Sequence, residues 1–241
     1  MQLAIIVALA IFSAIAGGVA GYGTGALMPL ILVPIVGAAP VVPIVAITAM
    51  FTNTARVAAF RRALEPRRAL IALIAALPTC ALGAWLYTLL TGRGAALVIG
   101  SSLIATVPLR RLLKRRGHKL GEKGYAAAAA GWGIVVGGTT GAGVIMLSIL
   151  MAAVLEGAAI IATDAAISLG MGVVKISVFG IAGVLTQKLL VIALLIGAVA
   201  FPSTFLAKLI VERMPVHLHT AMLDAVVIIG GAAMILGGIR G

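Results

Sequence analysis

The chain resembles itself at a long interval. Displacing the sequence by about 118 positions lays Gly23, Gly25 and Met28 on Gly141, Gly143 and Met146. A displacement of about 119 lays Arg56 and Phe60 on Lys175 and Phe179, and one of about 124 lays Pro78 on Pro202. Self-similarity at a fixed period confines a chain to architectures built from like units. The predicted units are residues 1–118 and 119–241, with a basic linker from about residue 110 joining them.

Those units are membrane units. Of the residues 63% are hydrophobic and 10% charged, and the mean hydropathy is +1.25, far from a soluble average. The apolar runs fall at about 2–36, 40–60, 69–90, 95–109, 125–153, 158–179, 188–210 and 220–238. With a span of ~20 residues as the yardstick, they predict an all-α integral membrane protein of about eight transmembrane segments, four to each repeat. The 30 glycines suit close helix packing. The first and fifth runs are too long for one straight crossing, so each is expected to be broken or re-entrant at its glycines. Re-entrant hairpins would give each half an odd number of crossings and invert the repeats, whereas four crossings per half would leave them parallel.

Charge sets the orientation. Of 18 Lys and Arg, five lie in 56–68 and seven in 110–123. Short loops rich in Lys and Arg stay on the cytoplasmic side, so the net charge of +12 is a topology signal and points to no nucleic-acid partner. Counting eight crossings places both termini in the cytoplasm and His217 and His219 in the last outer loop.

Within the first run stands GGVAGYGTGALMP, residues 17–29, and within the fifth GGTTGAG, residues 137–143. Glycine interrupts a helix, and a broken helix in a bilayer frees backbone groups that protein, ligand or a wet cavity must satisfy. A restarting helix leaves N–H groups and the positive end of its dipole facing the gap, which suits an anion. Paired interrupted segments at matching places in two halves point to a transporter site at the repeat interface. The candidate substrate-binding residues are Gly21, Gly23, Thr24 and Gly25 with Gly137, Gly138, Thr139, Thr140, Gly141 and Gly143. The alternative is plain small-residue packing, as at Gly17, Gly21 and Gly25.

GYGTGALMPLILVP, its recurrence as GGTTGAGVIMLSIL, and the four-plus-four layout about a basic linker resemble the TauE/SafE family of sulfite exporters over essentially the whole chain. The resemblance implies a permease of the bacterial inner membrane moving sulfite, a sulfonate or a similar sulfur-containing anion. A secondary transporter working by alternating access follows from it, a reading supported by the lack of a GxxxxGK[ST] nucleotide loop.

Ionisable residues inside a membrane are costly and mark pathways. Asp164, in the sixth run, is a candidate for proton coupling, or else lies near the outer surface and is solvated. Lys175 follows eleven residues later, too far along one helix for a direct pair. Arg56 and Lys175 are read as equivalent positions at the inner ends of the second and sixth segments. With Asn53 beside Arg56, they either line an anion path or anchor their helices at the interface.

The remaining features carry less. HxH at 217–219 with Glu212 and Asp224 is read as solvated, and no metal site is predicted. Trp85, Trp132, Tyr87 and Tyr125 fall near span ends, where aromatic residues favour the interface. Cys80 is expected to be a core thiol. No nucleophile, base and orienter set appears, so no enzyme and no cofactor are predicted. The expected partners are a small anion and the lipid bilayer, with assembly into a homo-oligomer left open.

Overall fold

The computed structural model describes residues 23–116, 119–211 and 216–240. Among them the chain forms α1 (Gly23–Val36), α2 (Val41–Phe60), a 3-10 turn (Arg61–Ala63), α3 (Pro66–Thr88), α4 (Gly92–Arg116), α5 (Glu122–Gly138), α6 (Gly143–Ala152), α7 (Gly157–Ile181), α8 (Gln187–Val211) and α9 (Val216–Arg240), and no strand. Among the described residues, four helices are long and apolar enough to cross a membrane: Val41–Ala63, Pro66–Thr88, Gly92–Leu109 and Gly157–Ile181. Shorter apolar helical stretches are Leu27–Val36, Gly143–Ala152, Gln187–Pro202 and Val227–Ile239.

Glycine and proline punctuate these elements. Pro66 opens α3, where its missing N–H costs nothing. Gly37 closes α1 at φ +80, its N–H returning to Val33 O over 3.0 Å. Large apolar side chains point outward from several helices, Leu70, Ile74, Leu89, Ile181 and Ile229 among the most exposed. Such a belt belongs against lipid tails.

Two apolar cores lie inside. One joins α1, α2, α4, α8 and α9 through residues such as Leu32, Ile44, Ile99, Ile196 and Met234. The other joins α3, α5, α6 and α7 through small residues, Ala72, Ala76, Cys80 and Ala129, beside Tyr125, Trp132 and Met146. The contact between α3 and α5 is especially close. A side chain at Gly83 would overlap the Ile134 carbonyl, and one at Gly137 the Cys80 carbonyl. Cys80 is buried there as expected.

The hydrogen bonds also sort the helix ends onto two faces. On the first face, Arg67 pairs with Glu122 at 2.6 Å, Tyr125 Oη donates to Arg68 O over 3.0 Å, Leu120 N–H donates to Ala152 O over 2.7 Å, and Glu65 N–H donates to Thr163 Oγ1 over 3.2 Å. On the second, Tyr87 Oη donates to Ala38 O and Ala39 O, Tyr87 meets the Phe179 ring, and Arg93 donates to Gly238 O and Ile239 O at 3.0 and 2.9 Å. The 23 residues of α3 separate the two faces by ~34 Å.

This sorting corrects the eight-crossing count. Helix α5 starts on the first face and α6 ends there, so the run 125–153 enters and turns back. The ten residues of α6 reach only ~15 Å. After this reversal α7 runs from the first face to the second, and α9 ends beside Arg93 on the second. That is the face opposite the basic residues 61–68. His217 and His219 lie in the first turn of α9 rather than in an outer loop; their side chains, that of Asp224, and all of Glu212 lie outside the described residues.

Of the four aromatic residues expected near span ends, Tyr87 and Tyr125 stand at helix ends, on the second and first faces, whereas Trp132 lies beside the break. Trp132, Tyr87 and Tyr125 are buried, and each spends its polar hydrogen on a backbone carbonyl. Trp85 alone is exposed.

Candidate functional site

A cavity of about 130 Å3 lies where α2, α5, α6 and α7 converge. Its wall includes Gly25 of α1, Asn53 and Arg56 of α2, Thr139, Thr140 and Gly141 of the break, Gly143 of α6, and Asp164 and Lys175 of α7. Nine of the fourteen sequence-predicted site residues are thus brought to one place. Gly21 and the side chain of Thr24 lie outside the described residues, and Gly23 is described only as the first residue of α1.

The break spans Thr139–Ala142, between the end of α5 and the start of α6. Gly141 supplies the turn at φ +80, a conformation that costs an L side chain ~1–2 kcal/mol. The other glycine cluster meets it there: a Cβ on Gly25 would stand 3.2 Å from Gly141 N. Gly141→Ala is therefore expected to lower stability by ~1–2 kcal/mol through its φ alone, read as a lower thermal midpoint.

Three side chains hold the break open. Trp132 Nε1 donates to Ala142 O over 2.8 Å. Lys175 Nζ donates to Val136 O over 2.8 Å and to Thr139 O over 3.0 Å, a cation on the carbonyl end of α5. Thr139 Oγ1 donates back to Val135 O over 2.7 Å, so its hydrogen is committed to the helix end. The Thr140 hydroxyl is different, being buried on the cavity wall without a partner among the described residues.

On the α2 side, Arg56 Nη2 meets Asp164 Oδ2 at 3.2 Å while Nη1 donates to Asn53 Oδ1 over 3.2 Å. Asp164 is 2% exposed, which removes the solvated alternative. Its second oxygen, Oδ1, is buried without a partner among the described residues. Lys175 is 6% exposed, and no carboxylate pairs with it among the described residues.

Three expectations shift in detail. Gly137 and Gly138 do not line the cavity; both press on α3, against Cys80 and Gly83. Arg56 and Lys175 are not both at inner helix ends: α2 and α7 run in opposite directions between the faces, so Arg56 lies toward the first face and Lys175 toward the second. The Arg56–Asp164 pair had no local signal, since 108 residues separate its members. Trp132, assigned to the interface from sequence, is a cavity wall; glycines one position on either side, Gly131 and Gly133, gave no hint of that.

The arrangement can do one thing chemically. A buried ammonium, a part-buried guanidinium, a buried carboxylate, a hydroxyl with no partner among the described residues and the first turn of a helix surround a space fit for a few water-sized bodies. It is too small for a drug-sized ligand at ~300 Å3 or more. Residues 6–234 match the family model described as Sulfite exporter TauE/SafE. No curated protein and no solved structure matches the chain.

Proposed function

The chain belongs to the TauE/SafE family of sulfite exporters, and on that premise we propose that it is a secondary transporter carrying a small sulfur-containing anion, sulfite or an organosulfonate, through the cavity between the glycine breaks. The observation that carries this reading is Lys175, a buried ammonium with no carboxylate partner among the described residues, facing a small cavity. A buried cation without a counter-charge is unfavourable, and an oxyanion supplies one. Thr140 Oγ1 and the first N–H groups of α6 would bind its remaining oxygens.

Alternating access would come from two repeats, 1–118 and 119–241, rocking about this site in the bacterial inner membrane. The packing supports an inverted relation. Helix α2 packs on α7, and α4 on α9, as pairs of counterparts; α2 packs on α8 as α7 does on α3. Under that relation Arg56 and Lys175 are counterparts presented to opposite faces, one to each side of the anion path. The proton is the proposed coupling ion, with Asp164 its carrier.

Flux into vesicles tests the reading. The purified chain in proteoliposomes should move sulfite or an organosulfonate, and should concentrate sulfite, which has a dianionic form, when a proton gradient is imposed. Sulfite movement that no gradient can concentrate would mean a channel, and no movement of any sulfur anion would mean a scaffold. Lys175→Met is expected to weaken anion binding at least about tenfold, the loss of ~1.4 kcal/mol or more; unchanged affinity would remove Lys175 from the site.

A further inference from the structure

The anion reading of the cavity leaves open how many protons accompany each anion, and the charges on its wall bear on that number. Arg56 and Lys175 are cations and Asp164 a carboxylate, so on the cavity wall one positive charge is unmatched. Net charge in a buried space is costly. A monoanion cancels it while the Arg56–Asp164 pair stays closed. A dianion brings one negative charge too many unless a carboxylate becomes neutral.

We propose that Asp164 matches the proton count to the anion: a monoanionic substrate is carried with no proton, and a dianionic one with a single proton bound to Asp164. This rests on the anion site proposed above and extends it to stoichiometry.

The geometry provides for the exchange. Asp164 spends Oδ2 on Arg56 and leaves Oδ1 buried and unpartnered at the cavity. When Asp164 takes up a proton, its hold on the guanidinium weakens and Arg56 can turn its fork of donors to a dianion. The neutral acid gains one O–H donor, which can point to an anion oxygen. Lys175 gives two of its three N–H donors to Val136 O and Thr139 O and keeps one for the anion. The proton comes from the side the anion leaves and is released with it on the other.

Among the described residues the other titratable groups are placed differently: Lys175 is held on two carbonyls, and the Cys80 thiol is turned to Met171 O. On elements packed against this part of α7 stand Arg56 of α2, the exposed Arg61 and Arg62, Glu65, Arg68 of α3 and Tyr125 of α5. Glu65 is exposed and meets α7 through its backbone N–H. Tyr125 is occupied with Arg68, donating to its carbonyl beneath its guanidinium. Helix α6 carries no titratable residue.

Calorimetric binding in buffers of different ionisation enthalpy counts protons taken up directly. Methanesulfonate serves as a fixed monoanion, sulfate and thiosulfate as fixed dianions, on the purified full chain. The expected result is no proton for methanesulfonate and one for a dianion. Dianion affinity should weaken up to about tenfold per pH unit as the solution is made more alkaline, with methanesulfonate affinity flat. Asp164→Asn should bind the dianion with neither proton uptake nor pH slope. Equal proton counts for the two probes would overturn the proposal. So would exclusion of both dianions from a chain that binds methanesulfonate, or proton uptake that survives in Asp164→Asn. One proton with methanesulfonate would assign the titration to Lys175 instead. If the wild-type chain binds neither sulfite nor any probe, the anion site itself falls, and the proposal with it. The wild-type counts need no variant to fold.

Discussion

Arg56→Glu is expected to abolish anion flux and to cost ~3–5 kcal/mol of stability, the range for breaking a buried ion pair from one side. The substitution sets two carboxylates together where Arg56 and Asp164 now meet at 3.2 Å, and it strips Asn53 Oδ1 of its donor. It also removes one of the two cations on the cavity wall. Stability and transport can be separated by exchanging the pair. With Glu at 56 and Arg at 164 the opposite charges are restored, so the thermal midpoint should recover most of its loss. Flux should not recover, because the guanidinium then projects from α7. The measurements are a thermal melt in detergent and sulfite uptake into vesicles. Preserved flux in the single variant would remove Arg56 from the anion path.

Gly137→Leu should fail for a different reason. A side chain there meets the Cys80 carbonyl and, at 2.9 Å, Ala84 N. The obstacles are backbone atoms of α3, which cannot rotate away as a side-chain tip can. Overpacking costs ~1–3 kcal/mol where side chains yield, and here the cost should reach or pass the upper end, seen as lost folded yield in detergent. Gly143→Leu is the counterpart. No atom lies within 4 Å of its Cβ position, and it borders the cavity. That variant should fold at near wild-type yield and lose flux by filling the space. If the two variants behaved alike, the division between packing glycines and site glycines would be wrong.

That division was not legible in the sequence. GGTTGAG marks a break because glycine is a poor helix former wherever it stands, and the break is where the motif predicted it. Which glycine meets a neighbouring helix depends on what lies opposite, and for Gly137 that is Cys80, far away in sequence. The boundaries of the second, third, sixth and seventh runs were readable to within about three residues, since length and apolar content alone define them. The direction of the fifth run was not, because a hairpin that turns back has the same hydropathy as a crossing. Its reversal needed Leu120 N–H on Ala152 O to be seen. Asp164 stood out as a charge in an apolar helix, yet its partner had no local trace. Tyr87, Tyr125 and Trp132 looked like interface residues because amphipathic rings favour that depth; each found a carbonyl to bond and was buried with it.

The capping of the break by Lys175 constrains the order in which the protein can be assembled. Val136 O and Thr139 O are left open by the end of α5, at a depth where lipid offers no donor. The ammonium that satisfies them lies 39 and 36 residues further along the chain. During synthesis the α5–α6 hairpin therefore exists before its cap does. It cannot settle to full depth until α7 has been made and has crossed beside it, so the hairpin must wait shallow or shielded in the insertion machinery. Its docking is then a late event, coupled to arrival of the same residue that faces the cavity.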